Sequence, residues 1–166
     1  MLRDAAPSDW PAILALNEAD VHFLSPLDAA RLTQLAAAAC YLRLAEEQGT
    51  VAAFLLGFAA GADYDSPNYR WFNARYDAYL YVDRIVVAPA FRGRKLAGRL
   101  YDDFEAAARA SGAPRIVCEV NIAPPNPASL AFHARRGFRE IGRIPYGEGK
   151  TVSLLQFDLP PANMAT

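Results

Sequence analysis

The sequence has little cysteine, no long apolar run and almost no net charge. Two cysteines in 166 residues form no disulfide framework, so nothing points to an oxidising compartment. No apolar stretch reaches the ~20 residues that a membrane span needs, and the N-terminus lacks a signal peptide's apolar core. A net charge of −1 argues against bulk attraction to nucleic acid or to anionic lipid. We therefore expect a cytoplasmic protein with no nucleic-acid or membrane partner.

Positive charge is nevertheless concentrated in one short segment. Five basic residues and no acidic one lie between Arg84 and Arg99, which leaves the rest of the chain at −6 (−1 minus +5). These five residues are Arg84, Arg92, Arg94, Lys95 and Arg99. A composition of this kind is also typical of a solvated surface loop, so the cluster alone does not define a site.

Hydrophobic periodicity predicts a single mixed α/β domain over residues 1–166. Helices are expected from near Ser8 or Asp9, from Ser25 to about Ala39, from Leu96 to Gly112 and from Pro127 to Arg135, with a short one starting at Ser66. Strands are expected over 41–45, 51–58, 79–87, 116–120, 138–144 and 151–159. Strands, then βαβα, then strands favour a mixed sheet covered by helices.

The basic segment lies where the strand ending at Val87 leads into the helix starting near Leu96. Such a junction directs unpaired amides and the positive end of a helix dipole at one point, which suits a phosphate group. Arginines in the same loop add charge-assisted hydrogen bonds. The spacing therefore predicts a phosphate-binding turn.

The run Arg92-Gly93-Arg94-Lys95-Leu96-Ala97 resembles the acetyl-CoA pyrophosphate motif of the GNAT superfamily of N-acetyltransferases. That motif is Arg/Gln-x-x-Gly-x-Gly/Ala, between the fourth strand and the next helix. Arg92 matches its first position and Ala97 its last. Lys95 stands where the family usually has glycine, and a positive φ there would cost a lysine conformational energy. Its ammonium either reaches a phosphate oxygen or points to solvent.

A second motif about thirty residues later supports the same resemblance. The family pattern is Asn, a small residue three on, an apolar one six on, commonly Tyr seven on, and Gly-Phe at eleven and twelve. At those spacings this chain has Asn126, Ser129, Phe132, His133 and Gly137-Phe138. The resemblance implies a mostly antiparallel sheet of about seven strands, with splayed fourth and fifth strands and about four flanking helices.

The resemblance also implies where acetyl-CoA, the co-substrate, binds. The backbone of Ile85 and Val87 is expected to hold the pantetheine arm and the thioester carbonyl. Asn126 is expected to bond the pantetheine, with Ser129 beside it. The pyrophosphate is expected to lie on the turn formed by Arg92, Gly93, Arg94, Lys95, Leu96 and Ala97. No metal is expected.

Acetyl transfer to an amine needs a proton acceptor and a proton donor. A free alkyl amine has a pKa of about 10.4, so its proton must be removed before it attacks the thioester. Asp83, two residues before Ile85 on the same strand face, is the first candidate for that base; the alternative is an ion pair with Arg84. His133 stands where many family members carry the tyrosine that protonates the thiolate, or else it packs under the sheet.

Aromatic residues interleaved with aspartates precede the basic segment and suggest a pocket for a cationic amine. The alternatives are an extra piece of core or a dimer contact. The residues chosen as substrate-binding are Tyr64, Asp65, Tyr69, Trp71, Tyr79 and Tyr81.

We expect the acceptor to be a primary amine of a small molecule that attacks directly in a ternary complex, in a protein that can form a homodimer. The alternatives are a protein or peptide amine acceptor and a non-catalytic acyl-CoA-binding or sensing module.

Overall fold

The computed structural model describes residues 1–161, which form seven strands and five α-helices. The strands are β1 (Leu2–Asp4), β2 (Tyr41–Glu47), β3 (Thr50–Ala59), β4 (Leu80–Val87), β5 (Arg115–Ala123), β6 (Arg139–Pro145) and β7 (Thr151–Asp158). The helices are α1 (Trp10–Ala19), α2 (Ala29–Ala38), α3 (Pro67–Asn73), α4 (Leu96–Ser111) and α5 (Pro127–Arg135). The expected mixed α/β class is confirmed. Helix α3 is the short helix expected after Ser66, and the other four α-helices match the number of flanking helices expected.

The strands form one sheet in the order β1-β2-β3-β4-β5-β7-β6. The sheet is mostly antiparallel, and β4 and β5 are its parallel pair. Their registered pairs are Leu80 with Ile116 and Tyr81 with Val117, so the parallel ladder covers the first two residues of β4. By contrast, β5 pairs with β7 from Arg115 to Ala123.

The described chain divides into two compact units. Of the described residues, the first contains 1–58 and 82–106, and the second contains 59–81 and 107–161. Because the chain divides in this way, the expected single domain over residues 1–166 stays a prediction. In the first unit α4 buries Leu100 and Phe104, part of the four-residue repeat that predicts this helix. In the second unit β5 buries Ile116 and Val117.

Two details at the N-terminal end differ from the expectations. Helix α2 begins at Ala29, because Asp28 is the residue whose carboxylate accepts the Arg31 amide at 2.7 Å. Ser25 precedes the helix, and its carbonyl accepts hydrogen bonds from Asn17 and Arg84 instead. Strand β1 was not expected, since three residues are too few to show a period.

Candidate functional site

In the first unit, the turn between β4 and α4 has a backbone that could receive an anion. After β4 a short 3₁₀ turn, Pro89–Phe91, leads into Gly93 at φ +80° and Lys95 at φ +62°. Positive-φ residues that alternate with others, as Gly93 and Lys95 do, can orient neighbouring backbone amides toward a common point, and α4 adds the positive end of its dipole. A Cβ at Gly93 would meet nothing within 4 Å, so the φ rather than lack of space favours glycine there.

Lys95 adopts the left-handed conformation that the family glycine would take without cost. A lysine in this region carries a penalty of about 1–2 kcal/mol, because its Cβ crowds the following carbonyl. Lys95 therefore holds, at a cost, a φ that favours glycine, and it places an exposed ammonium at the turn.

The arginines of the turn are paired weakly and stay largely exposed. Arg94 Nη1 lies 3.0 Å from Glu47 Oε2, and its side chain is 50% exposed. Arg92 Nη2 lies 3.8 Å from Asp20 Oδ1, and its side chain is 60% exposed. Such surface pairs contribute little, so a phosphate can replace them readily. The Arg92 amide donates to the Pro89 carbonyl at 3.4 Å, which leaves its side chain as the part of Arg92 that an anion would meet.

The C-terminal half of β4 carries a buried ion pair. Arg84 Nε lies 3.1 Å from Asp83 Oδ2, and each side chain is 6% exposed. The pairing anticipated as the alternative role of Asp83 is therefore present. It does not exclude proton transfer, since a paired carboxylate keeps lone pairs for a second donor. Ile85 and Val87 follow on the same strand and are half-buried.

In the second unit, Asn126 caps α5. Its Oδ1 accepts the Ser129 amide at 3.3 Å, and its own amide donates to the Asn121 carbonyl at 3.0 Å. The cap uses the side-chain oxygen, so the side-chain NH₂ is the group with which Asn126 would bond a pantetheine carbonyl. Helix α5 spans the residues expected for it.

His133 is buried one turn later, with 3% of its surface exposed. Its Nδ1 lies 2.7 Å from the Ser129 carbonyl oxygen, which can only accept, so Nδ1 carries the proton. Burial lowers the pKa of His133 below its usual value, although the Ser129 carbonyl acts in the opposite direction. A buried, neutral ring whose Nδ1–H donates to the Ser129 carbonyl is more consistent with the packing alternative than with protonation of the thiolate. The acid role stays a prediction that requires the ring to gain a second proton.

The aromatic residues chosen for the acceptor are mostly committed to packing. Tyr69, Tyr79 and Tyr81 are 1%, 1% and 0% exposed. The Tyr69 hydroxyl donates to the Ala59 carbonyl at 2.6 Å, and the Tyr79 hydroxyl donates to Asn73 Oδ1 at 2.9 Å. These rings therefore cannot form an open cage around a cation in this conformation.

The remaining members of that set are more accessible. Trp71 is half-buried, and the Arg75 guanidinium lies 3.7 Å from its ring centroid, so one face already binds the protein's own cation. The half-buried Tyr64 ring lies 5.5 Å from that of Tyr69, and Asp65 is exposed. Tyr64 and Asp65 thus remain accessible to a ligand.

Glu119 on β5 is a polar centre that the sequence reasoning missed. Its Oε1 accepts the Tyr81 hydroxyl at 2.7 Å and the Asn68 amide at 3.1 Å. Asn68 lies on α3, so this carboxylate links the aromatic segment, residues 61–78, to β5. The sequence signal for it is one acidic residue inside an otherwise apolar strand. A buried carboxylate is costly unless it is paired, so an acidic residue at such a position indicates a hydrogen-bonded polar site.

Residues 1–161 lack two kinds of feature. They contain no group of three or more His, Cys, Asp and Glu side chains that could hold a metal ion. No helix in this part of the chain is long and apolar enough to cross a bilayer.

The sequence model of the acetyltransferase (GNAT) family matches residues 6–138. The chain belongs to this family. The resemblance seen in the two motifs is thus confirmed, and this GNAT protein is an acetyl-CoA-dependent N-acetyltransferase, with acetyl-CoA as co-substrate. The positive φ angles and exposed cations of its β4–α4 turn fit the phosphate groups of that co-substrate.

Solved structures of N-acetyltransferases share the fold. Ard1 from Thermoplasma volcanium superposes with a TM-score of 0.79 at 14% identity, covering 96% of this chain and 97% of that one. A ribosomal-protein-alanine N-acetyltransferase from Brucella melitensis gives 0.71 at 21% identity, over 96% and 99%. A protein assigned as a phosphinothricin N-acetyltransferase gives 0.73 at 21% identity, over 96% and 98%. These neighbours include protein and small-molecule acetyltransferases, so the fold leaves the acceptor open.

Proposed function

We propose that this protein transfers the acetyl group of acetyl-CoA to a primary amine of a small molecule, by direct attack in a ternary complex. The observation that carries the proposal is the Glu119 carboxylate, held by Tyr81 and Asn68 under the aromatic segment. It gives the acceptor side a fixed anionic group suited to an ammonium ion and able to receive its proton.

The co-substrate roles follow the family motifs residue by residue. In the first unit, the turn residues Gly93 to Ala97 and the Arg92 side chain would hold the pyrophosphate. The backbone of Ile85 and Val87 would hold the pantetheine arm, and the Val87 amide would stabilise the oxyanion. In the second unit, Asn126 would bond the pantetheine through its NH₂, with Ser129 as the second residue of the α5 cap.

The reaction needs one proton acceptor, and the chain offers two candidates. The ammonium ion first loses a proton to a carboxylate, directly or through water, and the neutral amine nitrogen then attacks the thioester carbonyl carbon. The C–S bond breaks as the amide forms, and the second proton that the nitrogen loses balances the one that the departing thiolate takes up. Asp83 pairs with Arg84, and Glu119 accepts the Tyr81 hydroxyl and the Asn68 amide. We favour Glu119 as the base, because Asn68 links it to the segment proposed to cover the acceptor, and keep Asp83 as second.

The segment 61–78 favours a small acceptor over a protein. It is fastened by its own hydrogen bonds: the Gly61 amide donates to Asn73, and the Ala62 amide donates to the Tyr69 hydroxyl. A fixed cover of this kind suits enclosure of a compact amine better than a long peptide. A peptide acceptor is the second candidate, since one fold neighbour is a ribosomal-protein-alanine N-acetyltransferase.

Release of free thiol from acetyl-CoA tests the proposal. The purified protein is incubated with acetyl-CoA and, separately, with amino acids, polyamines, aminoglycosides and N-terminal peptides. We expect thiol release with at least one small amine and a mass increase of one acetyl group on that amine. Release with peptides alone would support the second candidate. Binding of acetyl-CoA without release for any amine would indicate the non-catalytic module.

Two isosteric variants identify the base. We expect Glu119→Gln to lower kcat by about 100-fold or more, within the range typical of a lost general base, and to leave acetyl-CoA affinity unchanged. Asp83→Asn is the matched comparison and is expected to lower kcat less. A larger loss in Asp83→Asn, with a changed pH–rate profile, would return the role to Asp83.

A further inference from the structure

Asn68, in the second unit, is a buried amide that bonds only through its nitrogen. The residue is 3% exposed, and its Nδ2 donates to Glu119 Oε1 at 3.1 Å. Because an ionised carboxylate only accepts, this bond fixes which amide atom is the nitrogen. The amide oxygen, Oδ1, is closed to solvent, and no donor within residues 1–161 reaches it. Asn68 therefore places a buried acceptor atom beside the carboxylate that we favour as the base.

The local structure does not account for this oxygen. Helix α3 begins at Pro67, and its cap is the Ser66 hydroxyl, which accepts the Tyr69 amide at 3.4 Å. The Asn68 side chain is thus not needed as a cap, and it reaches β5 instead. Its bond to β5 explains the nitrogen but leaves the oxygen without a role. A buried acceptor that receives no donor costs free energy, so the residue type points to a ligand that supplies one.

Glu119 is held through one of its two carboxylate oxygens. The Tyr81 hydroxyl donates to Oε1 at 2.7 Å, and Asn68 Nδ2 donates to the same atom. Two donors use both lone pairs of Oε1, so Oε2 is the oxygen that would take up a proton. Tyr81 is 0% exposed, which makes both donors buried groups. The carboxylate and the amide oxygen of Asn68 therefore belong to one fixed, hydrogen-bonded group.

We propose that Asn68 is a specificity-determining residue, whose Oδ1 accepts an N–H of the acceptor's ammonium group while Glu119 takes the proton that this nitrogen loses. The inference rests on the proposed function. An ammonium ion supplies enough donors for both groups. Because an amide oxygen accepts a hydrogen bond without taking the proton, the neutral amine stays bound to Asn68 and keeps its lone pair for the thioester carbon. The inference requires residues 63–66, which form neither helix nor strand, to admit the amine.

The proposed contact selects for N–H groups and not only for positive charge. A primary ammonium ion satisfies the Glu119 carboxylate and the Asn68 oxygen together. A trimethylammonium group carries the same charge, so it is attracted to Glu119, but it has no N–H to donate to Asn68. A site built to receive a donor discriminates against a ligand that lacks it, because the buried acceptor is then left without a partner.

The test compares two ligands of the acceptor site in matched variants. The ligands are the amine with the highest kcat/KM in the thiol-release assay, as substrate, and its N,N,N-trimethyl derivative, as competitive inhibitor. Asn68→Leu removes Oδ1 and one donor to Glu119. Tyr81→Phe also removes one donor to Glu119 but keeps Oδ1. Arg70→Gln changes an exposed residue of the same helix and is the control for α3.

We expect Asn68→Leu to raise the acceptor KM by about tenfold, in line with the loss of a hydrogen bond to a charged group. The Ki of the trimethyl derivative should stay within about twofold of wild type, since that ligand never uses Oδ1. Tyr81→Phe should leave the acceptor KM within about threefold, even if kcat falls. Arg70→Gln should match wild type in all three constants. A distorted pocket would weaken both ligands, so the divergence between KM and Ki separates binding from folding.

Three results would overturn the inference and leave the proposed function intact: an unchanged acceptor KM in Asn68→Leu, equal losses for the two ligands, or an equal rise of KM in Tyr81→Phe. If Asn68→Leu does not fold, Asn68→Asp decides. It keeps an acceptor oxygen, so a tenfold rise of its KM with an unchanged Ki would contradict the inference, and wild-type constants would support it. A wild-type protein that releases no thiol with any small amine overturns the proposed function, and this inference with it.

Discussion

The β4–α4 turn, residues 88–95, and the aromatic segment, residues 61–78, were both expected to bind substrate, but the structure gives them different characters. In the turn, Arg92 and Arg94 side chains are 60% and 50% exposed, and two residues hold positive φ. In the segment, Tyr69 and Phe72 are 1% and 0% exposed, and the Tyr69 hydroxyl is satisfied internally. The turn has exposed charged groups ready for a ligand, whereas the segment directs Tyr69 and Phe72 into the core.

The difference follows from the kind of signal that each prediction used. The turn was predicted from residues at fixed spacing, and two of its positions, Gly93 and Lys95, have the positive φ that favours glycine. The segment was predicted from composition, which does not say which way a ring points. Burial of a large ring is strongly favourable, so rings near an apolar sheet pack into it unless something prevents them.

The sharpest way to break this comparison is to truncate one phenylalanine in each region. Phe72→Ala should lower the free energy of unfolding by about 3–5 kcal/mol, because a fully buried ring leaves a cavity. Phe91→Ala, in the half-exposed turn, should cost less than about 1 kcal/mol. Urea denaturation measures both. Equal losses would mean that the two regions do not differ as described.

Lys95 tests whether the turn stores backbone strain. Lys95→Gly should raise the free energy of unfolding by about 1 kcal/mol, since glycine accepts φ +62° without penalty. Lys95→Ala is the control, because it removes the ammonium but keeps the Cβ, and it should leave stability unchanged. Acetyl-CoA affinity should fall by about threefold in both variants if the ammonium attracts phosphate. An equal gain in stability for both would exclude the strain.

His133 belongs to the second family motif, but it is buried, as Tyr69 and Phe72 of the aromatic segment are. Its pKa is lowered by burial, so below about pH 6.5 the unfolded chain binds a proton that the folded chain does not. Stability should therefore fall as pH decreases through that region. His133→Asn keeps a donor toward Ser129 and should flatten the decline, whereas His22→Asn, at an exposed position, should not. Unfolding free energies between pH 7.5 and 5.5 give the slopes, and the same slope in His133→Asn as in wild type would contradict the assignment.

Glu47 gives the smallest expected effect and sharpens the description of the turn. Its carboxylate pairs with Arg94 and must be displaced or shared when a phosphate arrives. Glu47→Gln should tighten acetyl-CoA binding by about twofold to fivefold, in line with the worth of a surface pair. Glu46→Gln is the control, because Glu46 pairs with Arg3 instead. Weaker binding in Glu47→Gln would mean that the pair preorganises the turn.

Much of the fold was predictable from hydrophobic periodicity and from the proline and glycine residues that begin and end helices. The stripe from Leu96 to Ala108 and the stop at Gly112 predicted α4, and Pro127 predicted the start of α5. Strand β1 was not predictable from three residues, since its place is set by pairing with β2. The start of α2 was misplaced at Ser25, because Asp28 is the residue that caps the helix and the Ser25 carbonyl is bound by Arg84, which lies far away in the sequence.

The candidate site was predictable where local backbone chemistry determines it and less so where contacts between elements do. The turn was predicted from a basic loop between a strand and a helix, and Asn126 was predicted as a pantetheine ligand from the resemblance to the family motif; both roles stay predictions, and the cap that Asn126 forms on α5 was not predicted. Glu119 was missed, because its importance arises from Tyr81 and Asn68, which lie far from it in the sequence. The hydrogen bonds from Arg84 to Asn17 and to the Ser25 carbonyl were missed for the same reason, since these two residues are about sixty residues away in the sequence.

Calorimetric titration with acetyl-CoA tests most directly the claim that the turn and the α5 cap bind the co-substrate. The account predicts one-to-one binding that weakens by about tenfold in Arg92→Ala and in Asn126→Ser, which keeps a capping oxygen but lacks the NH₂. Arg75→Ala, which removes an exposed arginine of the aromatic segment, should bind as wild type does. Unchanged affinity in both Arg92→Ala and Asn126→Ser would contradict the account.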